Sequence, residues 1–83
     1  MIRKNIDVSV EKEGARPIAM LVQEASKYKS QINICQGNKT VNAKSIMGMM
    51  TLGLVSGQPL EILVDGEDEE AAMANIEEFL LGK

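Results

Sequence analysis

The chain has 83 residues, 45% of them hydrophobic and 25% charged, so residues 1–83 suit one small globular domain. It contains no histidine and one cysteine, which excludes histidine-dependent catalysis, a tetrahedral zinc site and an internal disulfide bond. One Tyr, one Phe and no Trp are too few for a base-stacking nucleic-acid module, and no apolar run approaches the ~20 residues of a membrane span. We therefore expect a cytoplasmic protein that binds no metal, cofactor, nucleic acid or membrane directly.

The net charge of -3 is unevenly distributed along the chain. Residues 61–83 contain eight acidic residues and one basic residue, whereas residues 1–60 contain eight basic and four acidic residues. This asymmetry is compatible with a solvated acidic helix beside an ordinary surface. It is also compatible with a preference of the first 60 residues for an acidic partner.

The first part of the chain predicts a strand followed by a helix. Apolar and polar residues alternate over residues 5–10, which is the pattern of a half-buried strand. Pro17 suits the first position of a helix, where a missing N–H has no consequence. Apolar residues at helical spacing then extend this helix to Tyr28.

A hairpin and a second helix are predicted next. Alternation predicts strands at residues 32–35 and 40–42, joined by a tight turn at Gly37-Asn38, since both residues tolerate a positive φ. Cys35 lies at a strand end and is interpreted as a small packing residue. Ser45 is a preferred N-cap and begins a short, apolar helix that ends before Gly53.

The last part of the chain predicts a strand over residues 60–64 and an amphipathic helix. Glu67 or Asp68 begins this helix. We interpret the run of acidic residues there as pairing with the positive end of the helix dipole and not as a metal-binding site. The buried stripe of the helix is predicted to contain Ala72, Met73, Ile76, Phe79 and Leu80. The order βαββαβα predicts an α+β, two-layer open-faced sandwich in which the helices cover one face of an antiparallel four-stranded sheet.

Three segments carry a resemblance to known proteins: Ala-Arg-Pro at 15–17 with residues 22–28, the segment 39–50, and residues 66–69. They resemble the HPr phosphocarrier family of the bacterial sugar phosphotransferase system. The Lys-Ser-Ile-Met-Gly sequence at 44–48 is specific to the family, and the likeness covers nearly the whole chain. It implies an HPr-like domain with sheet order 1-4-2-3 and a non-enzymatic relay. That relay takes a phosphoryl group from enzyme I onto a histidine before Ala-Arg-Pro.

The residue before Ala-Arg-Pro departs from the family pattern. Gly14 occupies the position of the histidine, so no catalytic or phosphoryl-accepting side chain is present there. The connection from the first strand is also one residue short of the family pattern. The chain therefore resembles most closely the Crh-like branch, which lacks the active histidine and acts in carbon catabolite repression.

The resemblance implies that Ser45 is a regulatory phosphorylation site. Its kinase would be an HPr kinase/phosphorylase-like serine kinase. The phosphorylated form would bind a catabolite-control transcription factor or a metabolic enzyme. Without the resemblance, Ser45 is sufficiently explained as a helix cap, and the two interpretations are compatible.

The short apolar helix is predicted to form the partner-binding surface. A two-layer fold this thin cannot bury both sides of the helix, so we expect some of its methionines to face solvent. The alternative is that all of them are core residues. The predicted partner-binding residues are Arg16, Lys44, Ile46, Met47 and Met50. The last three correspond to the docking patch of HPr, and Arg16 is otherwise an ordinary surface arginine.

We therefore expect an HPr-like regulatory protein of the phosphotransferase and carbon catabolite system. One alternative is a phosphocarrier protein with a non-histidine acceptor. Another is a protein-binding module that is not phosphorylated at all. The protein is expected to be a monomer or a strand-swapped dimer, because a short connection over residues 11–14 favours exchange of the first strand.

Overall fold

The predicted order βαββαβα is present in the computed structural model, which describes residues 1–9, 15–53 and 57–82, without the side chains of residues 15 and 16. The elements are β1 (Ile2–Asp7), α1 (Ala15–Ser26), β2 (Gln31–Gln36), β3 (Lys39–Asn42), α2 (Ile46–Leu52), β4 (Pro59–Asp65) and α3 (Glu69–Leu80). Every predicted helix and strand is therefore confirmed in type and order.

The four strands form one antiparallel sheet in the order β1-β4-β2-β3. The central strand β4 pairs with both β1 and β2, so that Ile62 lies opposite Lys4 on one side and Ile34 on the other. Ile34 in turn lies opposite Val41 of the edge strand β3. The two-layer α+β architecture and the implied sheet order are both confirmed.

The core lies between the helices and one face of the sheet. Side chains alternate between the two faces of a strand, and in β4 the buried residues are Leu60, Ile62 and Val64. The helices contribute one stripe each to the same cluster, including Leu21 of α1, Met49 of α2 and Ile76 of α3. The other face of the sheet has no helix against it in the described residues.

The first strand begins and ends earlier than the alternation predicts. It starts at Ile2, because β4 is seven residues long and offers Val64 as a pairing partner to Ile2. Val8 lies beyond the strand but remains buried, and its N–H donates to the carbonyl of Gln58 at 2.9 Å. Residue 10, the end of the predicted strand, lies outside the described residues.

Helix α3 is joined to the loop before β2 through the side chain of Asp68. Asp68 is the N-cap residue, but its carboxylate makes no cap hydrogen bond to its own helix. It accepts instead the backbone N–H groups of Lys29 at 2.8 Å and Ser30 at 2.9 Å, and the hydroxyl of the buried Ser30. These donors favour the ionised form, and they lower the pKa of Asp68 from 3.8 to about 2, with the Ser30 hydroxyl as the largest cause.

We expect acidification to destabilise the fold through Asp68. Because its pKa is lower in the folded chain, ionised Asp68 stabilises the fold above pH 3.8, and this contribution is lost as the pH falls to about 2. Urea unfolding should show that the wild-type protein loses more stability over this range than Asp68→Asn. Glu67→Gln, a change at an exposed neighbour, serves as control. Equal acid sensitivity of wild type and Asp68→Asn would contradict the assignment.

Candidate functional site

The start of α2 is organised by the side chain of Ser45. This residue has an extended backbone, with φ of -100° and ψ of 113°, and its Oγ accepts the N–H of Gly48 at 3.2 Å. Its carbonyl accepts the N–H of Met49 at 2.9 Å, the first bond of the helix. The predicted N-cap is therefore confirmed. At the other end, the N–H of Gly53 donates to the carbonyl of Met49, and the φ of 73° at Gly53 ends the helix as predicted.

The turn before Ser45 is attached to the sheet by backbone hydrogen bonds. The N–H of Ala43, a fully buried residue, donates to the carbonyl of Ile32 in β2 at 2.9 Å. The side-chain oxygen of Asn42 accepts the N–H of Lys44, and the backbone carbonyl of Asn42 accepts the N–H of Ser45, both at 2.9 Å. Ser45 is thus held in a defined position while its side chain stays only half-buried.

Helix α2 has one apolar side in the core and another in solvent. Met49 and Leu52 are buried, as the packing of α2 on the sheet requires. The exposed side consists of Ile46, Met47 and Met50, with 41%, 78% and 56% of their surface accessible. At helical spacing these three residues share one side of α2. We call them the α2 patch, and its exposure agrees with the prediction from the thinness of the fold.

Lys44 has a partner that the sequence does not indicate. Its ammonium donates to the carbonyl of Tyr28 at 2.7 Å, just beyond the end of α1. The Lys44 side chain therefore links the start of α2 to the end of α1. This bond uses one of the three N–H donors of the ammonium.

Tyr28 also connects α1 to α3. The side-chain amide of Asn75 donates to the Tyr28 hydroxyl at 2.8 Å and to Glu24 at 3.0 Å. The bond from Asn75, followed by the one from Lys27, lowers the pKa of Glu24. Sequence reasoning missed this network, since nothing in the periodicity of α3 distinguishes Asn75 from any other polar surface residue.

The structure brings together only part of the predicted site. Ser45, Lys44 and the α2 patch are contiguous at the start of α2. Gly14 and the side chain of Arg16 lie outside the described residues, although the backbone of Arg16 belongs to the first turn of α1. Within the described ranges, no three potential metal-ligating side chains lie together, and no helix is long and apolar enough to cross a membrane.

Comparisons with known proteins identify relatives over nearly the whole chain. The family model described as the PTS HPr component phosphorylation site matches residues 4–81. The chain is 43% identical over 82 residues to the HPr-like protein Crh of Halalkalibacterium halodurans, with 96% of each chain covered. It is similar to the crystal structure of phosphocarrier protein HPr from Bacillus anthracis, with a TM-score of 0.90 and 39% identity over 95% of both chains. A crystal structure of Crh from Bacillus subtilis, described as a domain-swapped dimer, has a TM-score of 0.75 and 35% identity over 96% of this chain and 93% of that one.

We expect Lys44→Met to lower the free energy of unfolding by about 1 kcal/mol, because the Tyr28 carbonyl loses a charged donor while the aliphatic stem is kept. Lys39→Met is the matched control, since Lys39 is exposed on β3, and it should change stability by less than about 0.5 kcal/mol. Urea titrations of both variants measure the difference. Equal effects of the two substitutions would show that the contact with Tyr28 contributes nothing.

Proposed function

The chain belongs to the HPr family, in its Crh-like branch, and from this premise we propose that it regulates partner proteins through phosphorylation of Ser45 and docking of the α2 patch. The observation that carries the proposal is the position of a helix-capping serine directly beside an exposed apolar surface. A phosphate on Ser45 would lie next to the residues that a partner contacts. One modification can therefore change which partner binds.

The absence of histidine supports regulation in place of phosphoryl relay. The chain contains no histidine, and Gly14, which resemblance aligns with the family's acceptor, has no side chain to carry a phosphoryl group. The protein then acts as a binding protein and not as an enzyme or a carrier. A carrier with another acceptor remains the alternative that the experiment below tests.

Phosphorylation of Ser45 needs a nucleoside triphosphate and a serine kinase. The Ser45 Oγ forms a bond to the γ-phosphorus, the bond from that phosphorus to the β–γ bridging oxygen breaks, and the nucleoside diphosphate leaves. The hydroxyl proton passes to a base of the kinase. Because Oγ accepts a hydrogen bond from Gly48, its own proton is not used in that bond and can be removed. The proposed kinase is of the HPr kinase/phosphorylase type.

The phosphate changes the electrostatics of the docking surface. It adds about 1.5 to 2 negative charges and three acceptor oxygens beside the α2 patch. Such a group repels acidic surfaces and attracts arginine, so it favours one partner and disfavours another. The proposed partner of the phosphorylated form is a catabolite-control transcription factor or a metabolic enzyme, as in the family.

The α2 patch provides the apolar contact of the proposed interface. Met47 is 78% exposed, which is unfavourable for an apolar side chain in water unless a partner covers it. The flexible methionine side chains can adapt to more than one partner surface. Arg16 and Lys44 are proposed as the basic rim of this surface, with Lys44 also bound to Tyr28 as described above.

We propose one HPr-like domain in the cytoplasm, present as a monomer or as a dimer that exchanges its first strand. The domain-swapped dimer of Bacillus subtilis Crh supports the exchange. The connection after the first strand is one residue short of the family pattern, which supports it too, since short hinge loops favour swapping.

Two phosphorylation reactions test the proposal. With ATP and an HPr kinase/phosphorylase-type enzyme, we expect one phosphate, located at Ser45 by mass spectrometry. With phosphoenolpyruvate and enzyme I, we expect none, while a histidine-containing HPr is labelled as positive control. Ser45→Ala should abolish kinase labelling and lower stability by about 1 kcal/mol through loss of the cap. Ser26→Ala, at a serine on α1, should leave labelling intact.

The outcomes separate the three functions. Labelling by enzyme I at any residue would support the phosphocarrier alternative and contradict our proposal. Absence of labelling in both reactions would identify a protein-binding module without phosphorylation. Kinase labelling that persists in Ser45→Ala would show that the site lies elsewhere.

We expect Met47→Ala to affect binding and Met49→Ala to affect stability, although the two residues are close together on α2. Met47→Ala should weaken binding of the transcription factor to the phosphorylated protein by about 1–3 kcal/mol with little change in stability. Met49→Ala should lower the free energy of unfolding by about 2–5 kcal/mol, because Met49 is fully buried. Calorimetric titration and thermal unfolding measure the two quantities. If Met47→Ala unfolds the protein or leaves binding unchanged, the patch is not the docking surface.

A further inference from the structure

Gly48, the third residue of α2, lies directly against the side chain of Ser45. A Cβ built on Gly48 would be 3.4 Å from the Ser45 Oγ, 3.6 Å from the Ser45 Cβ and 3.5 Å from the Cβ of Val41 in β3. In a helix the Cα–Cβ bond tilts toward the N-terminus, so this methyl group would point toward Ser45. Gly48 therefore borders the space around the serine oxygen on one side.

The backbone does not require glycine at this position. Gly48 does not have a positive φ, in contrast to Gly53 at the end of the same helix. Glycine is also among the least favourable residues in a helix interior. The distances of 3.4–3.6 Å are ordinary van der Waals contacts, so the unmodified fold has room for alanine here. Folding alone therefore does not explain the glycine.

The phosphate supplies a reason for the glycine. After transfer from the nucleoside triphosphate, phosphorus is bonded to the Ser45 Oγ and three oxygens surround it. These oxygens need space next to Oγ, where an alanine methyl at position 48 would already be in contact with the bare hydroxyl oxygen. The same methyl group would lie 3.5 Å from the Cβ of Val41, so it would also contact β3.

We propose that Gly48 is a positioning residue that keeps the space beside Ser45 free for the phosphoryl group, and so determines whether Ser45 can be phosphorylated. This inference rests on the proposed function, since it concerns the same serine. It assigns to Gly48 a role in the modification and not in the stability of the unmodified fold.

The first test avoids the kinase. Phosphoserine is incorporated at position 45 during synthesis, in the otherwise wild-type chain and in Gly48→Ala. Without phosphate, Gly48→Ala should unfold at the wild-type temperature or above it. With phosphate, Gly48→Ala should unfold about 4–8 °C below the phosphorylated wild type, as crowding at one contact predicts for a domain of this size. The phosphorus-31 resonance of the variant should also be displaced from that of wild type.

The second test uses the kinase. For Gly48→Ala, kcat should fall by about tenfold or more with little change in KM, since the docking residues are intact and the reacting oxygen is obstructed. Thr51→Ala is the matched control: Thr51 is exposed on α2, and its hydroxyl donates to the Gly48 carbonyl at 2.7 Å. This control perturbs Gly48 without adding atoms beside Ser45, and it should be labelled at the wild-type rate.

The outcomes distinguish this inference from the proposed function. If phosphorylated Gly48→Ala is as stable as phosphorylated wild type and is labelled at the wild-type kcat, the inference is wrong and the proposed function is unaffected. If the kinase does not label even wild type, the proposed function fails, while the first test still decides the role of Gly48. If unphosphorylated Gly48→Ala is already destabilised, the glycine serves packing against Val41 and the inference is overturned.

Discussion

The thinness of the two-layer fold is the constraint on which the exposed α2 patch depends. One sheet and one layer of helices can bury a single side of each helix. In α2, which has seven residues, Met49 and Leu52 occupy that side. Any further apolar residues of α2 must therefore remain in solvent, and Ile46, Met47 and Met50 do so. The exposure of the α2 patch follows from how few residues are available to cover this helix.

The helical layer is joined by polar contacts as well as by the apolar core. Asp68 connects the start of α3 to the loop before β2, and Asn75 connects the middle of α3 to Tyr28. Lys44 connects the start of α2 to the same Tyr28 through its carbonyl. Tyr28 thus contacts residues from the two other helical regions. Displacement of the Lys44 side chain would remove the hydrogen bond to the Tyr28 carbonyl, just beyond the end of α1.

The proposed modification site uses a residue that the fold already needs. Ser45 caps α2 through Gly48, which makes its hydroxyl both a structural acceptor and the atom that a kinase would modify. A phosphate can replace the hydroxyl as acceptor at the same place, because its oxygens accept hydrogen bonds strongly. The cap and the proposed switch are therefore compatible functions of one side chain, provided that the space beside it stays open.

The sequence by itself determined the order of the elements, the limits of α2 and the presence of an exposed apolar surface. These features depend on local periodicity, on Ser45 and Gly53 as helix ends, and on chain length, all of which are readable without neighbours. Only the tertiary structure decided that Lys44 binds Tyr28 and that Asp68 binds Ser30. Ser30 and Asp68 are 38 positions apart, so their contact exists only once β2 and β4 have paired and the sheet has placed the two loops side by side.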